Sequence, residues 1–481
     1  MRVIKILLPV IFLQVNILAV EKANAQSKGK PNVVIIYSDD QGYGDVSFNE
    51  HNAPIATPNI DRLAKQGITF TSGYVCASTC APSRAGLMAG RYPERLGIYT
   101  VDDPFQEMPV TEKIAPQFFK ENGYATGIVG KWHLGGEIFK DRFPTKRGFD
   151  RFYGWLNSTH DYWKANTGRS DTYGPDGYAP LYDQETPVEE MDQYLTRQIT
   201  TKALDFIDQN KDKPFFLYFP HHCAHVPLQV PKETYEKYKA LGLGENTITT
   251  RAMYEELDKS VGAILDRLEK YNIRDNTIVI FQSDNGGGEP EAQLNWIYRG
   301  GKFTLLEGGI RVPAVISWPA ALPQNKVYGD PIVNIDFLPT VLAAAGIQAD
   351  KEFEGVNLLP YLQGKKAGVP HNELFWRSTK DYFAVLDGGW KLVFSPNGQG
   401  LYNIKDDPME LNDLRGKFPE KATALKAKYD AWDKKNITVN PSQAEREMVQ
   451  NAKKNAEPGK KKQGFSAKFG GTRKGEGEVE E

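Results

Sequence analysis

The sequence predicts an α/β fold: a large, mostly parallel sheet sandwiched by helices, followed by a small antiparallel sheet. Three observations carry this. Val33–Tyr37, Phe215–Phe219 and Thr277–Phe281 are short apolar runs, the pattern of strands buried on both faces, and Tyr124–Val129 reads as a fourth strand. Helical periodicity lies between them, with Leu195, Ile199, Ala203 and Phe206 on one face of Asp192–Asn210 and a longer amphipathic stretch over 248–270. From about residue 371 the pattern shortens to Tyr382–Leu386, Trp390–Phe394 and Leu401–Asn403, with the hairpin signal Asp387-Gly388 between the first two. A closing helix is expected near Pro419–Lys435.

The chain has 481 residues, enough for one large domain and a smaller one, each with its own core. A formal net charge of −2 lacks the basic surplus of a nucleic-acid-binding protein. Arg2 and Lys5 precede the apolar run Ile6–Val20, and Ala23-Asn24-Ala25 forms an A-x-A site. Residues 1–25 therefore read as a secretory signal peptide. That run is short for a membrane span, and no later segment is long enough. The protein is expected to be exported, periplasmic or secreted.

The elements between the strands follow in order. Thr57–Gly67 reads as a complete helix, with a Thr cap, Pro at the first position and Gly at the end. Ile68–Thr71 is β-like. Ala85–Ala89 is helical, with Pro82 in its first turn, so Cys80 falls at or just before a helix N-terminus, where an anion is favoured. Arg84 and Arg91 add cationic forks that match a tetrahedral oxyanion. Another helix opens at Thr111 and closes near Gly123. A strand is expected over Ala314–Trp318 and a helix over Phe337–Ala345, capped by Asp336. Residues 141–190 are aromatic-rich without periodicity, and Trp155, His160, Tyr162 and Trp163 read as loop residues on which sugar rings could stack. Residues 441–481 carry charge but no apolar period, the composition of a mobile tail.

The chemistry-bearing residues sit at strand ends. Asp39 and Asp40 end the first strand; two adjacent carboxylates there need a compensating cation. Asp284 and Asn285 end Thr277–Phe281 and are followed by three glycines. This all-oxygen, mostly anionic set suits one hard divalent cation, Ca²⁺ or alternatively Mg²⁺. Lys131 and His133 alternate with Trp132, so an extended backbone would point both the same way. Three of the seven histidines fall within His221–His225, a weak zinc pattern with no second histidine-rich segment. Lys302 lies in a glycine-flanked turn. The only cysteines are Cys76, Cys80 and Cys223, too few for a disulfide framework, and a Cys76–Cys80 bridge is the alternative to a reactive Cys80.

Together these segments resemble the type I, formylglycine-dependent sulfatases of the alkaline-phosphatase-like superfamily. The likeness rests on Ser38-Asp39-Asp40, Cys80-x-Pro82-Ser83-Arg84, Gly130-Lys131-Trp132-His133-Leu134-Gly135, His225-x-Pro227-Leu228, Asp284-Asn285-Gly286, and Gly301-Lys302 with Glu307-Gly308-Gly309-Ile310-Arg311. Leu401-Tyr402-Asn403 with Asp407-Pro408-x-Glu410 is similar to the family's ending, and Ala89 stands where many members have Thr.

The resemblance implies a catalytic domain over 26–370 and an antiparallel subdomain over 371–440. It implies that a maturation enzyme converts Cys80 to formylglycine, whose hydrate attacks sulfur. Asp39, Asp40, Asp284, Asn285 and the converted Cys80 would hold the cation. Arg84 would orient the hydrate, Lys131 and His133 would contact the covalent intermediate, and His225 and Lys302 would bind sulfate oxygens, with His225 as the acid. The expected substrate is a sulfated carbohydrate: ulvan first, then carrageenan or a glycosaminoglycan. A formylglycine-using phosphonate or phosphodiester hydrolase, or an inactive polysaccharide-binding relative, is the alternative.

Overall fold

A computed structural model describes residues 29–49, 55–101, 103–165, 180–289, 292–395 and 398–455. The signal-peptide reading of residues 1–25 lies outside them. In chain order the strands are β1 (Asn32–Ser38), β2 (Ile68–Phe70), β3 (Gly73–Tyr74), β4 (Ala125–Lys131), β5 (Arg151–Trp155), β6 (Tyr182–Asp183), β7 (Thr186–Pro187) and β8 (Phe215–Pro220). There follow β9 (Thr277–Ser283), β10 (Ala314–Ser317), β11 (Lys326–Tyr328), β12 (Ile332–Val333), β13 (Glu373–Thr379), β14 (Tyr382–Asp387), β15 (Trp390–Ser395) and β16 (Gly398–Asn403). Ten of them form one sheet in the order β11-β2-β10-β9-β1-β8-β4-β5-β6-β7. Its centre, β9-β1-β8-β4-β5, is wholly parallel, and antiparallel pairing is confined to β10 and the β6–β7 edge.

The apolar runs are continuous because both faces of the sheet are covered. Along β1, Val33, Ile35 and Tyr37 enter one core, which includes Ala85, Leu87 and Met88 of the helix Cys80–Ala89 and Phe337 and Val341 of Phe337–Ala344. Val34 and Ile36 enter the opposite core, with Ile199 and Phe206 of Leu195–Asn210 and Leu257 and Ile264 of Glu245–Lys270. The four-stranded antiparallel sheet β13-β14-β15-β16 and the helix Pro419–Asp433 build a third core that also takes in Tyr74, Val75 and Cys76. The fold is thus the expected large mixed sheet with a small antiparallel one.

Several local expectations are corrected. Residues 151–155 are a buried strand rather than loop, and they extend the parallel sheet beyond β4. Trp155, His160 and Tyr162 are fully buried: Trp155 stacks on His160 at 5.3 Å and Tyr162 on His222 at 4.9 Å. These rings are core, with no face left for a sugar. The helix after Thr111 begins at Ala115. Thr57 does not cap its helix; its hydroxyl contacts Ser47, and the Asp258 carboxylate accepts the amides of Asn59 and Ile60 instead. Asp336 likewise bonds outside its own helix, to the amides of Val333 and Val356. A helix spans Gln443–Asn455, where the sequence shows no apolar period; Val449 is buried and Glu445 pairs with Arg142 at 3.2 Å. Val449 is the one buried apolar residue among the described side chains of this helix, too little to register as a pattern. Among the described residues no helix is long and apolar enough to cross a membrane.

Candidate active site

Four adjacent parallel strands end at one place. Ser38 of β1 is in register with Ser283 of β9, so Asp39-Asp40 and Asp284-Asn285 emerge side by side. β8 delivers the histidine run after Pro220, and β4 ends in Lys131. The carboxyl edge of a parallel sheet is where such folds bind ligands. Two glycines permit the convergence. Gly130 sits at φ 125°, where an added Cβ would lie 1.9 Å from the Pro220 oxygen. A Cβ on Gly286 would lie 1.8 Å from the Gly308 oxygen.

Cys80 opens the helix Cys80–Ala89 and points at this edge, its Sγ donating to Asp39 Oδ1 at 3.6 Å. One atom each of Asp39, Asp40, Cys80 and Asp284 lies within 4.8 Å of the others. The helix is held from behind: Tyr37 Oη meets Ser83 Oγ at 3.0 Å, and Asn334 Nδ2 donates to the Ser83 carbonyl while its Oδ1 accepts the Cys76 amide. Cys76, Cys80 and Cys223 are all free, so the Cys76–Cys80 bridge is not formed. Arg91 lies beyond the far end of the ten-residue helix, some 15 Å away at 1.5 Å per residue. It pairs with Glu112 and takes no part in the site.

Three fixed cations face the three carboxylates. Arg84, fully buried, gives Nε and Nη2 to Asp284 Oδ2 at 2.9 and 2.7 Å, and Nη1 to the Lys131 carbonyl. Lys131 Nζ donates to Asp39 Oδ2 at 2.7 Å, and Lys302 Nζ to Asp40 Oδ2 at 2.7 Å. Burial would raise Asp39, yet the Lys131 ammonium and the Arg84 guanidinium hold it well below the usual carboxylate range. Asp284 is pushed up to about 7 by burial and by Asp39, against the pull of Arg84. Burial also raises the Cys80 thiol, outweighing the lysines. Helix N-termini ordinarily favour thiolate; here the sulfur stays protonated.

The donor set fits a cation. Asn285 spends its Nδ2 on Asp40 Oδ1 at 2.7 Å, while its buried Oδ1 has no partner. That oxygen and the three carboxylates are the ligands a hard divalent ion takes.

The histidines divide. His221 packs on Phe219 and meets Ser260, and burial lowers it to about 3. His222 Nδ1 lies 3.5 Å from Asp39 Oδ2, and its Nε2 lies 3.1 Å from the His160 amide nitrogen and 2.9 Å from the His160 carbonyl. His225 stacks on His222 at 5.1 Å; its Nδ1 meets the Val226 carbonyl at 2.8 Å and its Nε2 lies 3.8 Å from Asp40 Oδ2. Burial and Lys302 hold His225 well below the usual histidine range, so it is neutral. Burial likewise lowers Lys302, but Asp40 outweighs it and the ammonium is charged. His133 is buried after β4 with its backbone at φ 55°, so the alternation argument stops at Lys131. His222 lies inside the His221–His225 run that the sequence marks, but the motif gives it no role of its own. Asp45 is a second such residue: it accepts from Arg251, Tyr254 and the Gly42 and Leu294 amides, and so fixes the loop behind the acidic pair.

With this geometry in view, residues 31–347 match the family model described as Sulfatase, and residues 300–435 match the C-terminal model of N-sulphoglucosamine sulphohydrolase. The chain belongs to the sulfatase family and is a sulfuric ester hydrolase of alkaline-phosphatase-like fold. An uncharacterized sulfatase of Escherichia coli strain K12, YdeN, is 31% identical over 402 residues, spanning 73% of this chain and 69% of that protein. The N-acetylgalactosamine-6-sulfatase of Canis lupus familiaris is 33% identical over 388 residues, 76% of this chain and 72% of that one. Among solved structures, Ps i-CgsB in complex with k-i-k-neocarrahexaose superposes with TM-score 0.78 at 31% identity, covering 89% of this chain and 98% of that chain.

Proposed function

We propose that this chain hydrolyses sulfate monoesters on a sulfated carbohydrate, with Cys80 converted to formylglycine by a maturation enzyme. One divalent cation, Ca²⁺ or alternatively Mg²⁺, would be held by Asp39, Asp40, Asp284, Asn285 and an oxygen of the converted Cys80. The observation that carries this is the unpartnered Asn285 Oδ1 beside three buried carboxylates and the buried Cys80 sulfur. The hydrated aldehyde supplies a nucleophilic oxygen and a second hydroxyl, and the cation supplies positive charge at the sulfate.

The chain's own residues do the rest. Three carboxylates against Arg84, Lys131 and Lys302 leave the bare site near neutrality, and a divalent ion makes it attractive to an anionic ester. Arg84 fixes Asp284 through two hydrogen bonds. Lys131 and Lys302 hold positive charge where the sulfate oxygens gather. His133 takes a proton as sulfate departs. His225, with its Nδ1 proton on the Val226 carbonyl, presents Nε2 as an acceptor. His225 and Lys302 both lie against Asp40 and are the two groups placed to assist departure of the alcohol, with His225 as the acid.

Export follows from the leader reading of residues 1–25. The carrageenan-bound neighbour and the N-acetylgalactosamine-6-sulfatase favour a polysaccharide built on galactose or its amino sugar. That moves carrageenan-type and glycosaminoglycan oligosaccharides ahead of ulvan. The test is desulfation across defined carrageenan, glycosaminoglycan and ulvan oligosaccharides, beside an aryl sulfate and an aryl phosphonate. Sulfate release from at least one carbohydrate is expected. Turnover of the phosphonate alone would replace this reading with a phosphonate hydrolase.

A further inference from the structure

Of the aromatic residues expected to stack on sugar, Trp155, His160 and Tyr162 are buried and Trp163 is half-buried against Tyr194, yet the site does not lack an exposed ring. Phe303 follows Lys302 and is 42% exposed. Its ring centroid lies 5.6 Å from Lys302 Nζ, the atom that reaches Asp40. Its backbone is held on both sides: the Phe303 amide donates to the Ser78 carbonyl, two residues before Cys80, and the Lys302 amide to the Gly287 carbonyl.

The backbone conformation argues against an incidental surface phenylalanine. Among the described residues, eight that are not glycine have positive φ. Three of them, Gln184, Asn272 and Asn325, carry side-chain amides, and asparagine tolerates this region well. Asp40 belongs to the site, His133 is buried just after β4, and Glu410 is buried against Lys391. Trp296 (φ 54°) and Phe303 (φ 70°) are bulky aromatics on the loop that carries Lys302, and both are more than 40% exposed. Such strain is unfavourable and tends to persist at ligand clamps. A pocket with no use for the ring would be served better by glycine there.

We infer that Phe303 is the stacking platform for the sugar ring that bears the scissile sulfate. This rests on the carbohydrate sulfatase reading above. With sulfate oxygens on Lys302 Nζ, the attached pyranose comes within reach of the phenyl face, and its axial C–H groups form the apolar side that packs there. The platform selects cyclic sulfate esters over ring-less ones and adds nothing to the binding of sulfate itself.

The test compares the full-length enzyme with Phe303→Ala, Phe303→Trp and Phe303→Gly. The probes are galactose 6-sulfate, N-acetylgalactosamine 6-sulfate and a carrageenan tetrasaccharide, with inorganic sulfate as competitive inhibitor. For the sugars that wild type turns over, Phe303→Ala is expected to raise KM roughly tenfold, the loss of one anchor side chain. The kcat should stay near wild type and Phe303→Trp should restore KM. The inhibition constant for inorganic sulfate should not move. Phe303→Gly should match Phe303→Ala in KM while melting no lower than wild type, because it relieves the left-handed strain. An unchanged KM in Phe303→Ala overturns the inference, as does an equal weakening of inorganic sulfate, which would make the ring a mere support for Lys302. If wild type turns over the aryl phosphonate and no sulfated sugar, the carbohydrate reading itself fails and the platform falls with it.

Discussion

Lys131→Met separates the two partners that compete for Asp39. The Lys131 ammonium is fully buried and lies 2.7 Å from Asp39 Oδ2. Arg84 and His222 stand farther off, at 3.7 and 3.5 Å. Removing one member of a buried ion pair costs ~3–5 kcal/mol, because the remaining charge is stranded. The variant without cation should therefore melt well below wild type. A divalent ion offers Asp39 a replacement charge. At a cation concentration of about 100 Kd, wild type should gain ~2.7 kcal/mol. In the variant the ion no longer contends with the ammonium, so each tenfold tightening adds ~1.4 kcal/mol to that gain. The assay is thermal unfolding of both proteins in chelator and over a Ca²⁺ titration, with sulfatase turnover alongside. A crossing pattern is expected: larger loss without ion, larger recovery with it, and turnover abolished throughout. Equal cation-induced shifts in the two proteins would refute the idea that Asp39 serves both.

Further tests probe the frame around the site. Glu94 is buried, its Oε1 accepting the Arg377 amide and its Oε2 unpartnered, and burial raises it from 4.5 to about 8. The native state then binds more protons than the unfolded chain between those values, so stability falls as pH rises through that window, by on the order of a few kcal/mol in all. Glu94→Gln should melt above wild type at pH 8.5 and lose that advantage towards pH 5; a pH-independent difference would contradict this. Lys391 is buried between Glu307 at 2.8 Å and Glu410 at 3.1 Å. Lys391→Met should destabilise by ~3–5 kcal/mol, and adding Glu307→Gln and Glu410→Gln should recover most of it; a single variant as stable as wild type would show the network to be slack.

Much of the site was legible because its residues end strands that the apolar runs already mark. Val33–Tyr37 and Thr277–Phe281 place Asp39-Asp40 and Asp284-Asn285 at one sheet edge, and the register Ser38 to Ser283 brings them together. What escaped depends on contacts distant in sequence. Asp258 caps a helix 199 residues earlier, which no local pattern encodes. Trp155, His160 and Tyr162 read as loop aromatics because the strand Arg151–Trp155 contains a glycine and begins with a charge. The exposed ring beside Lys302 was passed over because a single phenylalanine in a glycine-rich turn carries no signal until its φ is known. His133 shows the limit of the alternation rule: one left-handed residue ends it.

The central claim concerns Cys80, whose thiol is buried, protonated and aimed at a carboxylate. The direct measurement is sulfatase turnover against the fraction of aldehyde in the Cys80 peptide, read by mass spectrometry on preparations made with and without a formylglycine-generating enzyme. The account predicts turnover proportional to the aldehyde fraction, with none in the pure thiol form or in Cys80→Ala. Full turnover from enzyme carrying only unmodified Cys80 would contradict it.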